Sequence, residues 1–414
     1  MVRILPPILH RYVFREILLP FTISLLVFTG ILFLARSLRL VDLVVNKNVP
    51  VEDILFLFSL IVPRFLELAA PMALLLGIII SFGRLSSDSE LVVMRAAGIR
   101  LKNLLVPVGF FAFIVSLLVL GVTLWLRPWA NYQLGVGMFE IAKMQASANI
   151  IGGVFNDFGP LTIYPAKAEE NGNRLSNVMI SDGRIEGENT LFIARHGQIV
   201  SEQENRSLVL RLFDGSIHQR RNEEYNVTYF DINNISLPLS DLSEQSPTHE
   251  GKKSDEMFIG ELIQAIDDTK ATQSTSEESK KELASYLVEL HVRLALPVSC
   301  FCVALCAMAL GVQPSRGGHT WGASISVAVG ILTIVLYYLL FAVAKAIGEQ
   351  GNVNPGLIMW IPNLLFFIVA GYFFTQVERE RWLAVTERLG DFLKWASQKI
   401  SFSNNKDTQE LSAS

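Results

Sequence analysis

Long apolar segments and one extended polar region alternate along this chain. The apolar segments number six, and the polar region separates them into two groups of three. They cover residues 17–35, 54–83, 104–126, 294–312, 323–344 and 357–374. A bilayer core about 30 Å thick requires about 20 apolar residues per helix. The pattern therefore predicts six transmembrane helices, three in residues 1–127 and three in residues 291–376.

The polar region begins with short runs in which apolar and polar residues alternate. Clusters of Gly, Asn, Asp and Ser separate these runs at 171–173, 181–183 and 214–215. Alternation with regularly spaced turn residues is typical of antiparallel sandwiches and open barrels. The predicted fold class is an α-helical membrane protein with six transmembrane helices and an inserted all-β domain at 128–240.

An acidic linker is predicted at 241–290. Residues 241–282 contain eleven acidic and five basic side chains. Ser254 is a candidate N-cap for an amphipathic helix, and a second helix is predicted to start near Lys280 and continue into the fourth span. The apolar stripe of the first helix comprises Met257, Phe258, Leu262, Ile263 and Ile266.

Lys and Arg in the short loops predict the orientation of the spans. Basic residues precede the first span, lie between spans two and three and between spans four and five, and recur in the tail at 377–414, whereas 348–356 has none. Cytoplasmic loops carry the excess of Lys and Arg. Both termini are therefore predicted to be cytoplasmic, and the β-domain is predicted to lie on the other side of the membrane.

Composition narrows the class of protein further. Hydrophobic residues make up 51% of the chain, charged residues 18%, and the net charge is −4. These values exclude a disordered chain or a disulfide scaffold, and they argue against a nucleic-acid partner held by bulk charge. Cys300, Cys302 and Cys306 share one apolar run, and their spacing fits buried thiols better than a metal site.

Basic residues near the outer ends of the first two spans break the charge rule. Arg36, Arg39 and Lys47 follow the first span, and Arg64 lies inside the second span, three residues before Glu67. Two interpretations remain open for Arg64 and Glu67, which are spaced to pair on one helix face. Arg64 and Glu67 form a structural pair, or Arg64 belongs to a cavity wall that contacts a charged substrate. Two interpretations also remain open for the other three basic residues: their side chains snorkel to the membrane interface, or they form a basic rim suited to an anionic lipid head group.

The loop between spans two and three predicts a short helix at 87–98. Ser87 and Glu90 have the spacing of a capping box, and Gly98 is suited to end the helix. Its apolar side chains occupy more than one stripe of the helix. This excess indicates either a docked protein partner or a helix lying on the lipid surface.

No P-loop and no hydrolase or kinase motif occurs in the sequence. We therefore expect a non-catalytic chain that binds no cofactor, with any pumping powered by a partner subunit or by an ion gradient.

Four segments carry a resemblance to a known family: an N-terminal R-Y-x-x-R-E segment at 11–16, the run SELVVMRAAG at 89–98, the LHVR motif at 290–293, and a QPSRGG loop at 313–318. In these segments the chain resembles the lipopolysaccharide export permeases of the LptF/LptG family. The order of three spans, β-domain and three spans is also similar. The segments 290–293 and 314–316 look more like the LptF branch.

The resemblance implies a subunit of an ATP-driven ABC exporter in the bacterial inner membrane. Its partners would be a cytoplasmic ABC ATPase dimer, a second six-span permease and periplasmic jelly-roll bridge proteins, and the β-domain would itself be jelly-roll-like. Lipopolysaccharide would be the substrate, and the first and fifth spans would line its cavity. The residues implied to couple the helix at 87–98 to the ATPase are Glu90, Leu91, Met94 and Arg95, and those expected to contact lipid phosphates are Arg36, Arg39, Lys47 and Arg64.

Two alternatives stay open at this stage. One is a secondary transporter or another ABC permease for a different anionic lipid. A secondary transporter would be expected to have a site near the bilayer midplane, and none is visible in the sequence. The other is a membrane-anchored scaffold whose β-domain recruits partners. The capped apolar loop helix argues against a scaffold, which has no need of an ATPase-coupling element.

Overall fold

The computed structural model describes residues 7–47, 51–169, 174–185, 188–202, 207–221, 224–237, 252–271, 277–312 and 323–379. The chain divides into two compact units. One comprises Met1–Ala35, Val62–Arg127 and Phe258–Ser414, and the other comprises Arg36–Ile61 and Pro128–Met257. Residues 241–251 and 272–276 of the linker, the 313–318 loop and the tail beyond 379 lie outside the described residues.

The described helices account for all six predicted spans. Ten α-helices are described: α1 (Pro7–Lys47), α2 (Val51–Ser87), α3 (Glu90–Ala96), α4 (Leu101–Gly121), α5 (Arg127–Asn149), α6 (Ile259–Ala271), α7 (Glu277–Gly311), α8 (Ala323–Glu349), α9 (Pro355–Ile358) and α10 (Ile361–Glu378). Within this described part, six segments are long and apolar enough to cross a membrane, which confirms the prediction.

The third span is longer than its apolar run. A π-helical turn at Val122–Leu126 joins α4 to α5, so helical backbone continues to Asn149. The amide of Arg127 donates to the carbonyl of Val122, five residues earlier. The region predicted as β-domain therefore begins with about six turns of helix, and its first strand starts only at Asn156.

Burial separates inner from outer helices in the first unit. Within the most apolar 18 residues of each span, 72% of the residues are buried in α2 and in α7, whereas only 17% are buried in α1 and 28% in α8. Exposed apolar side chains on α1 and α8 include Leu26, Ile31, Leu332 and Leu339. These two helices have large apolar faces that the described residues of this chain leave exposed.

A glycine brings α1 and α2 into backbone contact. A Cβ atom added at Gly77 would lie 2.9 Å from the Cα of Phe21. The Ser81 hydroxyl, one turn further along α2, lies 2.9 Å from the carbonyl oxygen of Glu16 and 2.7 Å from that of Gly77. Close approach of the backbones fixes α1 on α2 at this level, although most of α1 is exposed.

The linker helices begin at different residues from those predicted. Ser254 is not an N-cap: α6 starts at Ile259, and the Glu261 carboxylate accepts a hydrogen bond from the Phe258 amide at 2.9 Å. Leu262 and Ile266 are buried as predicted, but Ile263 is exposed. Phe258 precedes the helix and is also exposed, so the apolar stripe is narrower than the sequence indicated. The second helix, α7, starts at Glu277, one turn before Lys280.

The inserted domain is a six-stranded antiparallel sheet in sequential order. Its strands are β1 (Asn156–Phe158), β2 (Leu161–Ala168), β3 (Arg174–Ile185), β4 (Glu188–Glu202), β5 (Ser207–Arg221) and β6 (Glu224–Leu237). The inserted all-β domain is thus confirmed, and hairpins join its successive strands. A contact across the sheet shows that it curls: the Arg184 guanidinium on β3 lies 3.4 Å from the Ser236 carbonyl oxygen on β6, although β4 and β5 lie between these strands.

The alternation of inward-facing and outward-facing residues is interrupted once in each of four strands, at the same row of the sheet. In β3 to β6, two successive residues face outward where strict alternation would allow one: 176–177, 195–196, 213–214 and 231–232. These pairs stand side by side in the ladder, since Ser176 pairs with His196, His196 with Phe213 and Phe213 with Ile232. Asn177 and Asp214 adopt φ of 49° and 50° at this row. Because all four strands shift together, the register is kept on both sides.

Candidate functional site

The short helix after span two begins later than the sequence indicated. Ser87 is the last residue of α2, and its hydroxyl donates to the Gly83 carbonyl at 2.8 Å within the same helix. Ser89 has φ of 61° and interrupts the helical backbone, so α3 starts at Glu90 and ends at Ala96. The capping box between Ser87 and Glu90 was therefore wrong, because Ser87 is still helical and cannot be an N-cap.

The end of this helix was predicted correctly. Gly98 has φ of 84°, and its amide lies 2.9 Å from the Arg95 carbonyl oxygen. The Ile99 amide donates to the Met94 carbonyl at 2.9 Å. This pattern of bonds to the last carbonyls is that of a glycine-terminated helix.

The side chains of α3 fall into an anchoring group and an exposed group. Leu91 is 5% exposed within the core of the first unit, and Met94 packs against that core. Val92 and Val93 are 45% and 67% exposed. Arg95 is half-buried. The helix is thus held by Leu91 and Met94, while two valines face outward.

Polar side chains of α1, of α2 and of the turn that follows α2 lie around the start of α3. Together with Glu90 they form what we call the α3 cluster: Tyr12, Glu16, Arg84, Asp88 and Glu90. The Tyr12 hydroxyl donates to the Glu90 carboxylate, with Oη 2.7 Å from Oε2 and 3.0 Å from Oε1. Arg84 lies 3.0 Å from Glu16 and 3.6 Å from Asp88. The first turns of α1 are therefore tied by polar contacts to both α2 and α3.

A second group of charged side chains is buried between three helical segments. Arg127 lies 3.2 Å from Glu67 on α2 and 2.9 Å from Glu289 on α7. Arg293, one turn further along α7, lies 2.8 Å from Glu289. We call these four residues the buried ion cluster; their side chains are 9% exposed or less. Two arginines and two glutamates balance in charge, which is what such burial requires.

The π turn contributes a neighbouring contact. Thr123 is fully buried, and its hydroxyl lies 3.2 Å from the main-chain oxygen of Arg293. The turn thus packs against the same part of α7 from which Glu289 and Arg293 project. π-helical turns occur preferentially at functional sites, and this one immediately precedes the arginine at the centre of the cluster.

Arg64 does not pair with Glu67. Glu67 points into the buried ion cluster, whereas the Arg64 side chain is exposed. The intrahelical pair that the spacing suggested is therefore replaced by the longer-range pair of Glu67 with Arg127. Desolvation explains this outcome, because a buried carboxylate requires a buried partner.

The other residues expected to contact lipid are on α1. Arg36 is exposed. Arg39 and Lys47 belong to the same helix, but their side chains lie outside the described residues. The four candidate lipid contacts thus remain a prediction, and two of them, Arg36 and Arg64, have exposed side chains.

Sequence reasoning missed the buried ion cluster and the role of Tyr12. Arg127 and Glu289 are 162 positions apart, so no local spacing relates them. A signal existed all the same, since Arg127 directly follows one apolar run and Glu289 and Arg293 directly precede another. Tyr12 was noted only as part of the R-Y-x-x-R-E segment.

Comparison with known proteins places these features in a family. The family model described as lipopolysaccharide export system permease LptF/LptG matches residues 11–376. The permease protein LptF of Escherichia coli K12 is 23% identical over 88% of this chain and 93% of its own length, and LptF of Shigella flexneri shows the same values. An uncharacterized protein of Rickettsia prowazekii is 22% identical over 73% of this chain and 81% of its own length. The family match spans both groups of helices and the inserted sheet, and the chain therefore belongs to the LptF/LptG family of lipopolysaccharide export system permeases.

Proposed function

We propose that this chain is the permease subunit of an ATP-driven exporter that extracts lipopolysaccharide from the inner membrane. The observation that carries the proposal is the family match over residues 11–376. It favours lipopolysaccharide over another anionic lipid, and a permease over a scaffold. In this proposal a separate cytoplasmic ABC ATPase hydrolyses ATP, and this chain binds no cofactor of its own.

The partners would cover the surfaces that this chain leaves exposed. The apolar faces of α1 and α8 would line a cavity shared with a second six-span permease and would accept the acyl chains. Exposing each CH₂ group of those chains to water would cost about 0.8 kcal/mol, so a shielded path and external work are both needed. Periplasmic jelly-roll proteins would continue the path by pairing with an edge of the sheet.

The α3 helix is the element that would meet the ATPase. Val92 and Val93 would fill an apolar groove of that subunit, and Glu90 would pair with a basic residue there. Leu91 and Met94 would transmit the contact to the core, because they anchor α3 from the other side. The exposed valines support this assignment, since a helix with no partner would have polar residues at those positions.

Purification of the tagged chain from its native membranes tests the assembly. We expect mass spectrometry to find a P-loop ATPase, a second six-span chain and bound lipopolysaccharide. Recovery of the chain alone, or with soluble proteins and no ATPase, would overturn the proposal.

Charge reversal at the α3 helix tests coupling. In the purified complex reconstituted with lipopolysaccharide, Glu90→Arg is expected to abolish ATP-dependent lipid release without loss of folded protein. Glu277→Arg is a matched control, because Glu277 is a largely exposed residue at the start of α7. Normal release by the Glu90 variant would exclude coupling through this helix.

Single cysteines test the proposed orientation. The native thiols of Cys300, Cys302 and Cys306 are buried, so introduced cysteines can be labelled selectively. Both Lys167 on β2 and Arg100 before α4 are exposed. An impermeant maleimide should label Lys167→Cys in intact spheroplasts and Arg100→Cys only after lysis; the reverse pattern would refute a cytoplasmic α3.

The basic residues near the outer interface would hold the lipid phosphates. Arg36→Glu and Arg64→Glu should each reduce the amount of co-purified lipopolysaccharide, because a close charge-assisted contact to phosphate contributes about 1.5–3 kcal/mol. The same tests apply to Arg39 and Lys47. Arg100→Glu, on the proposed cytoplasmic side, is the control, and equal lipid content in all these variants would remove the four residues from the site.

A further inference from the structure

The α3 cluster contains two carboxylates with different partners. Glu16 is paired with a guanidinium, since Arg84 lies 3.0 Å away. Glu90 is held by a neutral donor, the Tyr12 hydroxyl, at 2.7 Å. A neutral donor orients a carboxylate without cancelling its charge. Tyr12 therefore sets the position of the Glu90 carboxylate from α1 without placing a positive charge against it.

The hydrogen bond also leaves acceptor capacity at Glu90. An ionised carboxylate has about four lone-pair sites, and one hydroxyl proton occupies only part of them. Tyr12 is 38% exposed and Glu90 is half-buried, so both are within reach of a docking protein. A basic side chain can approach the same carboxylate that Tyr12 already holds.

The bond connects the most exposed span to the helix proposed to meet the ATPase. Tyr12 is in the second turn of α1, and Glu90 is the first residue of α3. The apolar side chains Val92 and Val93 lie in the next turn on the outward side. Movement of α3 with a docked partner would thus pull directly on α1, in addition to acting through the core.

We propose that Tyr12 is a positioning residue: it orients Glu90 for a basic side chain of the ATPase and transmits the movement of α3 to α1. The inference rests on the proposed function, because it presupposes the ATPase and its contact with α3. It adds the route by which nucleotide-driven motion reaches α1. In this proposal Tyr12 acts through Glu90, so its effect is on coupling.

Removal of one hydroxyl group tests this role. Tyr12→Phe keeps the ring and deletes the donor. In the complete complex with lipopolysaccharide, we expect the variant to assemble normally and to keep the KM for ATP, while lipid released per ATP hydrolysed falls about tenfold, the scale of a hydrogen bond to a charged group. Tyr372→Phe is the matched control, because Tyr372 is an exposed tyrosine on α10.

A double-variant cycle separates positioning from packing. Once Glu90→Gln has removed the charge, Tyr12→Phe should cause little further loss, since both changes break one interaction. Full additivity of the two losses, or wild-type release per ATP in Tyr12→Phe, would overturn the inference. Loss of ATPase from the Tyr12→Phe complex would also overturn it, because the hydroxyl would then serve assembly.

The outcomes distinguish this inference from the proposed function. If the wild-type chain carries no ATPase or releases no lipid with ATP, the proposed function fails. If the wild-type complex works and Tyr12→Phe matches it, only the inference fails.

Discussion

The buried ion cluster and the α3 cluster use the same chemical groups in different surroundings. Glu67, Arg127, Glu289 and Arg293 are at most 9% exposed, whereas the side chain of Arg84 in the α3 cluster is 69% exposed. Water screens the exposed pairs and makes each of them weak. In the buried cluster no solvent replaces a lost partner. The buried ion cluster therefore suits a permanent contact between helices. The α3 cluster suits contacts that form and break during a conformational cycle.

The largest expected effect is the loss of the central buried arginine. Arg127→Met leaves Glu67 and Glu289 without the charge that both contact, which should destabilise the fold by about 3–5 kcal/mol. Thermal unfolding in detergent, followed by the amount of monodisperse protein, measures it. Arg174→Met, at an exposed position on β3, is the control; equal stability of the two variants would show that the cluster contributes no net stability.

Removing one acidic and one basic side chain together tests whether the unbalanced buried charge causes the loss of stability. The double variant Glu67→Gln with Arg127→Met leaves Glu289 and Arg293 as an ion pair one turn apart. Because no net charge is then left in the interior, we expect the double variant to recover most of the stability lost in Arg127→Met. The same unfolding assay decides this, and a double variant less stable than the single one would contradict it.

An ion pair in the sheet, Asp182 with Arg184, is expected to have an effect of intermediate size on stability, and this effect depends on pH. Burial opposes ionisation of Asp182, but hydrogen bonds and charge from Arg184 outweigh it and lower the pKa of Asp182. A carboxyl with a lowered folded pKa stabilises the fold above its unfolded pKa of about 4, and this stability is lost as pH falls through the folded pKa.

Hydrogen exchange at β3 amides in the full chain measures this effect. Wild type should be better protected than Asp182→Asn at pH 6, and the two should converge as pH falls below about 4. A difference that stays constant with pH would exclude the ion pair as its cause.

The smallest effect is expected for the exposed pair of the α3 cluster. Glu16→Gln removes the charge that faces Arg84 and should change stability by no more than about 1 kcal/mol. Raising the salt concentration to 0.5 M should remove even this difference while leaving the effect of Arg127→Met in place. Unfolding at two salt concentrations checks both statements, and a salt-sensitive Arg127 effect would break the contrast between the clusters.

Much of the fold follows from patterns that repeat along the sequence. The six spans were predictable because hydrocarbon thickness sets a minimum apolar length. The strands were predictable because turn residues punctuate alternating runs. The interruption of this alternation was not predictable, because it affects only one position in each of four strands. It lies at 176–177, 195–196, 213–214 and 231–232.

The candidate site was predictable only where its residues are close in sequence. The four residues proposed to couple α3 to an ATPase do lie on one helix, although Ser89 in a left-handed conformation shifts its start: Glu90, Leu91, Met94 and Arg95. The partners of Glu67 and Glu90 are 60 and 78 positions away, and tertiary packing alone selects them.

The π turn at Val122–Leu126 gives the third span a precise length requirement. Each residue of an α-helix turns the chain by about 100°, so a turn that holds one extra residue sets the angular phase of all that follows. Deleting a single codon within this turn would restore ordinary α-helix and keep that phase, whereas deleting one from the regular helix of α4 would rotate Arg127 by roughly that angle, away from Glu67 and Glu289. We expect the deletion in α4 to be as harmful as Arg127→Met, although every side chain of the buried ion cluster would still be encoded.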